Sequence, residues 1–249
     1  MAGKIVEDVG TVERHALIIG ASSAIGAATA IELQKSGWIA SGTFRETRPP
    51  KEAADLLSLQ MPCDVRDPDQ IASVCDAAAQ QVRPIDALIY TVGNISLRKA
   101  ERLRSADVVS AFEVNTLGAI SAVREVLGGM QERRYGRVVL VSSIAAFQGS
   151  AGSSVYASSK GALVGFARSV VKEVAHRGIT VNVVEPGFIR SSMLDRLPVA
   201  HDQLTGRIPT RRIGEPSEVA ALIAFLCSEA AGYINGASIP VDGGASFAG

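Results

Sequence analysis

Short apolar runs alternate with helix-length stretches from one end of this 249-residue chain to the other, and that rhythm restricts the folds open to it. The strand-like runs are 16–19, 39–44, 58–61, 87–91, 137–141, 180–184 and 237–241. Between them lie helical patterns at 24–36, 68–81, 105–133, 155–177 and 216–228. Val/Ile-rich strands that are apolar on both faces need cover from both sides, which crossover helices supply. Right-handed crossovers then give an α/β fold, a doubly wound parallel sheet with helices on both faces, forming a single domain over 1–249. No repeat, low-complexity tract or linker divides the chain. The segment 189–215, with Pro198 and Pro209, interrupts the rhythm late; in such a sheet it reads as a mobile lid over the ligand crevice. Its apolar Met193, Leu194, Leu197 and Leu204 suit an apolar substrate arm.

Composition removes several function classes. Lys+Arg and Asp+Glu both number 25, so no global basic field directs the chain to nucleic acid or to an anionic membrane. Residues 1–13 carry Glu7, Asp8 and Glu13 and lack the apolar centre of a secretory signal. No uninterrupted apolar run approaches the ~18–20 residues that span a bilayer. Cys63, Cys75 and Cys227 lack CxxC spacing and read as reduced core thiols of a cytoplasmic protein. His15, His176 and His201 are isolated in sequence; they form no metal cluster and are assigned to surface and loop positions.

The first strand runs into Gly20-Ala21-Ser22-Ser23-Ala24-Ile25-Gly26, which opens a helix. Glycines allow a tight turn, and free N–H groups at a helix N-terminus suit a pyrophosphate. The spacing is not the usual G-x-G-x-x-G, and a plain glycine-capped turn reads equally well from this loop alone. Asp64 and Val65 close the third strand, where an acid could accept from an adenine amino group. Thr91-Val92-Gly93 forms a second small-residue turn at the same edge. After the second strand comes Arg45, not an acid, which favours NADPH over NADH despite the neighbouring Glu46. Tyr156 and Lys160 stand one helical turn apart, thirteen residues beyond Ser143. An ammonium beside a phenol favours the ionised form, so Lys160 is expected to pull the Tyr156 pKa down.

These pieces together resemble the short-chain dehydrogenase/reductase family over essentially the whole chain, and within it the 3-oxoacyl-[acyl-carrier-protein] reductases of fatty-acid and polyketide synthesis. The matching residues are the Gly20 loop, Asp64-Val65, Asn115, Ser142-Ser143, Tyr156 with Lys160, the run from Asn182 to Gly187, and Val241-Asp242-Gly243-Gly244. The resemblance implies a Rossmann-like fold, a homotetramer and NADPH-dependent reduction of a 3-oxoacyl thioester on an acyl carrier protein. It implies Tyr156 as proton donor, Ser143 as hydrogen-bond donor to the carbonyl, and Lys160 as holder of the nicotinamide ribose. Asn115 would position a water; Pro186, Gly187, Ile189 and Ser191 would line the nicotinamide and phosphates. Arg134 and Arg177 match carrier-docking positions, with Arg133, Arg137 and Lys172 nearby. A reductase of a free ketone or alcohol, and a non-catalytic nucleotide sensor, remain as rival readings. One departure stands out: Tyr90-Thr91-Val92-Gly93 replaces the family's Asn-Asn-Ala-Gly, leaving the Thr91 hydroxyl to do part of the lost amides' work.

Overall fold

Along the first strand Leu17 and Ile19 face one way and Ala16 and Ile18 the other, and each pair enters a separate core layer. The computed structural model describes residues 13–197 and 201–247. Glu7, Asp8 and Pro198 of the sequence reading lie outside the described residues, as does the side chain of His201. The sheet contains β1 (Arg14–Ile19), β2 (Trp38–Phe44), β3 (Leu57–Pro62), β4 (Ala87–Tyr90), β5 (Gly136–Val141), β6 (Ile179–Pro186) and β7 (Ser238–Val241). All pair in parallel, in the order β3-β2-β1-β4-β5-β6-β7. This is the doubly wound, Rossmann-like arrangement that two-sided apolar strands require. The order reverses between β1 and β4, so a crevice opens there outside the carboxyl ends of the strands.

Helices α1 (Ala24–Lys35) and α9 (Pro216–Cys227) cover the Ala16/Ile18 face. The opposite face is covered by α3 (Pro68–Gln81), α5 (Gly118–Arg133) and α7 (Ser154–Val174). Short helices α2 (Lys51–Ala54) and α6 (Ala145–Gln148) fill stretches that carry no periodic pattern in the sequence. The helical pattern 105–133 is not one regular helix: α4 (Ser105–Phe112) joins α5 through a π turn at Glu113–Leu117. By length and composition this column could cross a bilayer, contrary to the sequence expectation, but 44% of its most apolar window is buried in the protein.

The lid segment has a fixed neck. Ile189 and Gly214 form a parallel bridge, with Arg190 N donating to Gly214 O at 2.9 Å and Gly214 N to Phe188 O at 2.9 Å. Inside it lie a single turn at Leu194–Arg196 and the helix α8 (His201–Arg207). Leu194, Leu204 and Ile213 pack with Phe188 and Leu197 into a small core of their own.

The histidine assignment needs correction. His15 is fully buried in β1, where its Nδ1 meets Arg83 O at 2.7 Å and its Nε2 meets Ser41 Oγ at 2.9 Å. The surface expectation fails because the polar ring is satisfied internally, which makes burial affordable to a histidine. The three cysteines are free and buried. Burial pushes Cys63 up to about 11 and Cys75 and Cys227 up to about 12.

Candidate active site

Strand β5 is followed by two serines, and both address α7. Ser142 Oγ donates to Lys160 O at 2.9 Å, tying the middle of α7 to the sheet. Ser143 turns the other way, accepts from Ala145 N at 3.2 Å and approaches the Tyr156 phenol. One helical turn beyond Tyr156, the Lys160 ammonium donates to Val141 O at 2.8 Å and Val92 O at 3.1 Å. Ser143, Tyr156 and Lys160 thus converge on one wall of a cleft of about 650 Å³ at the carboxyl edge of the sheet. The same lining includes the apolar Leu97, Ile144, Phe188, Met193, Leu194 and Leu197.

The electrostatics differ from the sequence expectation. Burial pushes the Tyr156 phenol above its ordinary value, and the Ser143 hydroxyl pulls it only part of the way back. Burial also drives Lys160 down to about 7. The expected depression of the phenol by Lys160 is therefore not what the packing produces. Burial desolvates the lysine, so its charge is itself disfavoured despite the two carbonyls it donates to.

Asn115 sits on the π turn, fully buried. Its Oδ1 accepts from Asn94 N at 2.7 Å, and its Nδ2 donates to Asn94 O and Ser159 Oγ, each at 2.9 Å. Thr116 Oγ1 adds a bond to Ser159 O at 2.8 Å. The sequence alone assigns no role to Ser159, Thr116 or Asn94. A serine in a helix interior, such as Ser159, is a usable signal, because its hydroxyl needs a partner there.

The nucleotide-binding candidates divide into two groups. Ile25, Thr91, Gly93, Pro186, Gly187, Ile189 and Ser191 line the cleft beside Tyr156 and Lys160. Gly20, Ser22, Ser23, Ala24, Gly26, Val92, Arg45, Asp64 and Val65 lie along the same carboxyl edge, towards β3, but not in the cleft lining. Ser23 caps α1 by accepting from Gly26 N at 2.9 Å and donates to Thr91 Oγ1 at 3.1 Å. Gly26 is required by close approach: a Cβ there would lie 2.3 Å from Gly20 O. Thr91 Oγ1 also donates towards Gly20 O at 2.9 Å and Ile19 O at 3.1 Å, which ties the loop to the end of β1. Arg66 forks onto Asp64 and holds its carboxyl down at about 2. Arg45 is exposed and pairs with Glu46 at 3.1 Å.

The docking candidates lie elsewhere. Arg134 stands two residues before β5 and Arg177 two residues before β6, which places both at the amino edge, opposite the cleft. They meet through His176: Arg134 Nη2 donates to its carbonyl at 3.4 Å, and Arg177 Nε is 3.2 Å from its Nε2. Arg137 does not join this patch; it is buried and pairs with Glu229 at 3.4 Å. Among the described residues no His, Cys, Asp and Glu group could hold a metal ion.

The family model described as Enoyl-(Acyl carrier protein) reductase matches residues 20–246. The chain is a short-chain dehydrogenase/reductase. This short-chain reductase is 34% identical to Nodulation protein G of Rhizobium sp. (strain N33), over 93% of the chain and 96% of that protein. It is 32% identical to the 3-oxoacyl-[acyl-carrier-protein] reductase FabG of Pseudomonas aeruginosa, over 92% and 96%. Its structure superposes on a variant of actinorhodin polyketide ketoreductase with NADPH at a TM-score of 0.86 and 29% identity, covering 94% of this chain and 97% of the other. The family is one of nicotinamide-dependent oxidoreductases.

Proposed function

We propose that this short-chain reductase uses NADPH to reduce the 3-oxo group of an acyl thioester, carried on an acyl carrier protein, to the 3-hydroxyacyl thioester. The observation that carries the proposal is the convergence of Ser143, Tyr156 and Lys160 on a cleft that Leu97, Phe188, Met193, Leu194 and Leu197 also line. Such a cleft offers a carbonyl oxygen two hydroxyl donors and offers an acyl chain a dry surface. FabG relatives are named for 3-oxoacyl-[acyl-carrier-protein] reduction, and the superposed ketoreductase for a polyketide, in keeping with that substrate class.

The cofactor-side residues fit a nicotinamide nucleotide. An ammonium has three donors, and carbonyls take two of those on Lys160; the third suits a ribose hydroxyl. Gly93 keeps that approach clear, since a Cβ there would lie 3.2 Å from Lys160 Nζ. The N-terminus of α1 and the Gly20–Gly26 backbone would hold the phosphates, Asp64 and Val65 the adenine, and Pro186, Gly187, Ile189 and Ser191 the nicotinamide end. Arg45 would bind the 2′-phosphate in place of its exposed pairing with Glu46. When bound, the reduced nicotinamide supplies the hydride. Tyr156 gives its proton to the carbonyl oxygen, which Ser143 holds. The amide of Asn115 spends three of its four hydrogen-bonding positions on Asn94 and Ser159, and the remaining Oδ1 lone pair would take the water for reprotonation.

The test is NADPH oxidation with acetoacetyl-CoA. Turnover is expected, with a fall of about 10²–10⁴-fold in Tyr156→Phe. Cofactor binding without turnover would favour a nucleotide sensor, and a preference for NADH would refute the role given to Arg45.

A further inference from the structure

The departure at Tyr90 occupies a gap that the π turn creates. In a regular α-helix the N–H of Gly118 would bond four residues back, to Val114 O. In this chain it bonds five residues back, to Glu113 O. Into that space comes the phenol of Tyr90, fully buried at the end of β4, which donates to Val114 O at 2.6 Å. Gly118 gives it room: a Cβ there would lie 2.5 Å from Tyr90 Oη and 2.8 Å from Val65 O. Burial pushes this phenol far above its ordinary value, so it stays protonated and remains a donor at every pH at which the protein works.

The Val114 carbonyl and the Asn115 N–H belong to one planar peptide unit, so fixing one orients the other. From that unit Asn115 grips Asn94 and Ser159, the residue before Lys160. On its own strand Tyr90 leads in two residues to Val92, whose carbonyl receives the Lys160 ammonium at 3.1 Å. One hydroxyl therefore ties the segment that leads to Val92, a carbonyl partner of Lys160, to the turn whose Asn115 holds Ser159. We propose that Tyr90 is a positioning residue: its hydroxyl takes the place of a helix N–H at Val114 and locks the π turn so that Asn115 and Lys160 keep their register. The catalytic consequence rests on the ketoreductase reading above; the structural one does not.

Tyr90→Phe removes the hydroxyl and keeps the ring that fills the core. Tyr135→Phe is the control, because it removes another buried tyrosine hydroxyl, one without a hydrogen-bond partner. Hydrogen exchange of the cofactor-free proteins reads the turn directly. Amides of residues 113–118 are expected to exchange at least tenfold faster in Tyr90→Phe and at the native rate in Tyr135→Phe. In NADPH-dependent reduction of acetoacetyl-CoA, kcat is expected to fall about tenfold in Tyr90→Phe, with KM for both substrates within about twofold and a displaced pH profile. Unchanged exchange at 113–118 overturns the proposal whatever the activity. Faster exchange with native kcat and pH profile overturns the positioning role and leaves Tyr90 as packing. If the wild type reduces no ketone, the functional reading fails, while exchange still decides the lock.

Discussion

Lys160 sets the electrostatic character of the site, because burial drives its pKa down to about 7 while only carbonyls hold it. The unfolded chain keeps this lysine protonated to pH ~10.4, so between about pH 7 and that value the unfolded state binds more protons. Stability of the cofactor-free protein therefore gains a contribution that rises with pH across this window. An anionic nucleotide bound alongside favours the ammonium. NADPH binding is expected to take up close to one proton per site at pH ~8 and almost none at pH ~6, since at pH ~6 Lys160 is already charged. Calorimetry in buffers of different ionisation enthalpy measures this, and Lys160→Met should abolish the uptake; equal uptake at both pH values would contradict it. The spacing of Tyr156 and Lys160 was legible in the sequence, but the sign of their electrostatics was not. That sign depends on burial of Lys160 by segments distant in the chain, which no local pattern reveals.

At the scale of elements, periodic segments were legible almost to the residue: 68–81 and Pro68–Gln81 coincide. What escaped were structures defined by single hydrogen bonds. The π turn at Glu113–Leu117 is a single five-residue turn inside a longer helical run, and α2 and α6 are too short to show a period. His15 shows the same limit in β1, where its polarity suggested the surface and its partners Arg83 and Ser41 come from elsewhere in the chain. Burial lowers its pKa, against the raising influence of the Arg83 carbonyl and of Asp86, with the Arg83 charge adding to the lowering. Below its ordinary value of ~6.5 the unfolded chain binds the proton and the folded protein resists it. Thermal melts are therefore expected to show a loss of stability as pH falls through that value, with a shallower slope in His15→Asn. An identical slope would remove His15 from the account.

Across the whole molecule, the sheet separates two surfaces that the carrier-protein reading needs to connect. Arg134 and Arg177 lie at the amino edge and Tyr156 at the carboxyl edge, and the six residues of β5 between them span about 20 Å. If that patch docks an acidic carrier, Arg134→Glu with Arg177→Glu should lower kcat/KM about tenfold or more for a carrier-bound 3-oxoacyl chain and leave acetoacetyl-CoA unaffected. Equal losses on both substrates would remove the docking role. The clasped neck of the lid has a consequence of another kind. Because Ile189 and Gly214 are paired and Arg190 is joined to Glu215 at 3.0 Å, residues 191–213 enter and leave the sheet edge at nearly one point. Chain exchanged between 192 and 207 leaves strand register undisturbed, so that part can diversify as a cassette and change the acceptable substrate, while Ser191 and Ile208, which packs with Ile144 beside Ser143, are kept.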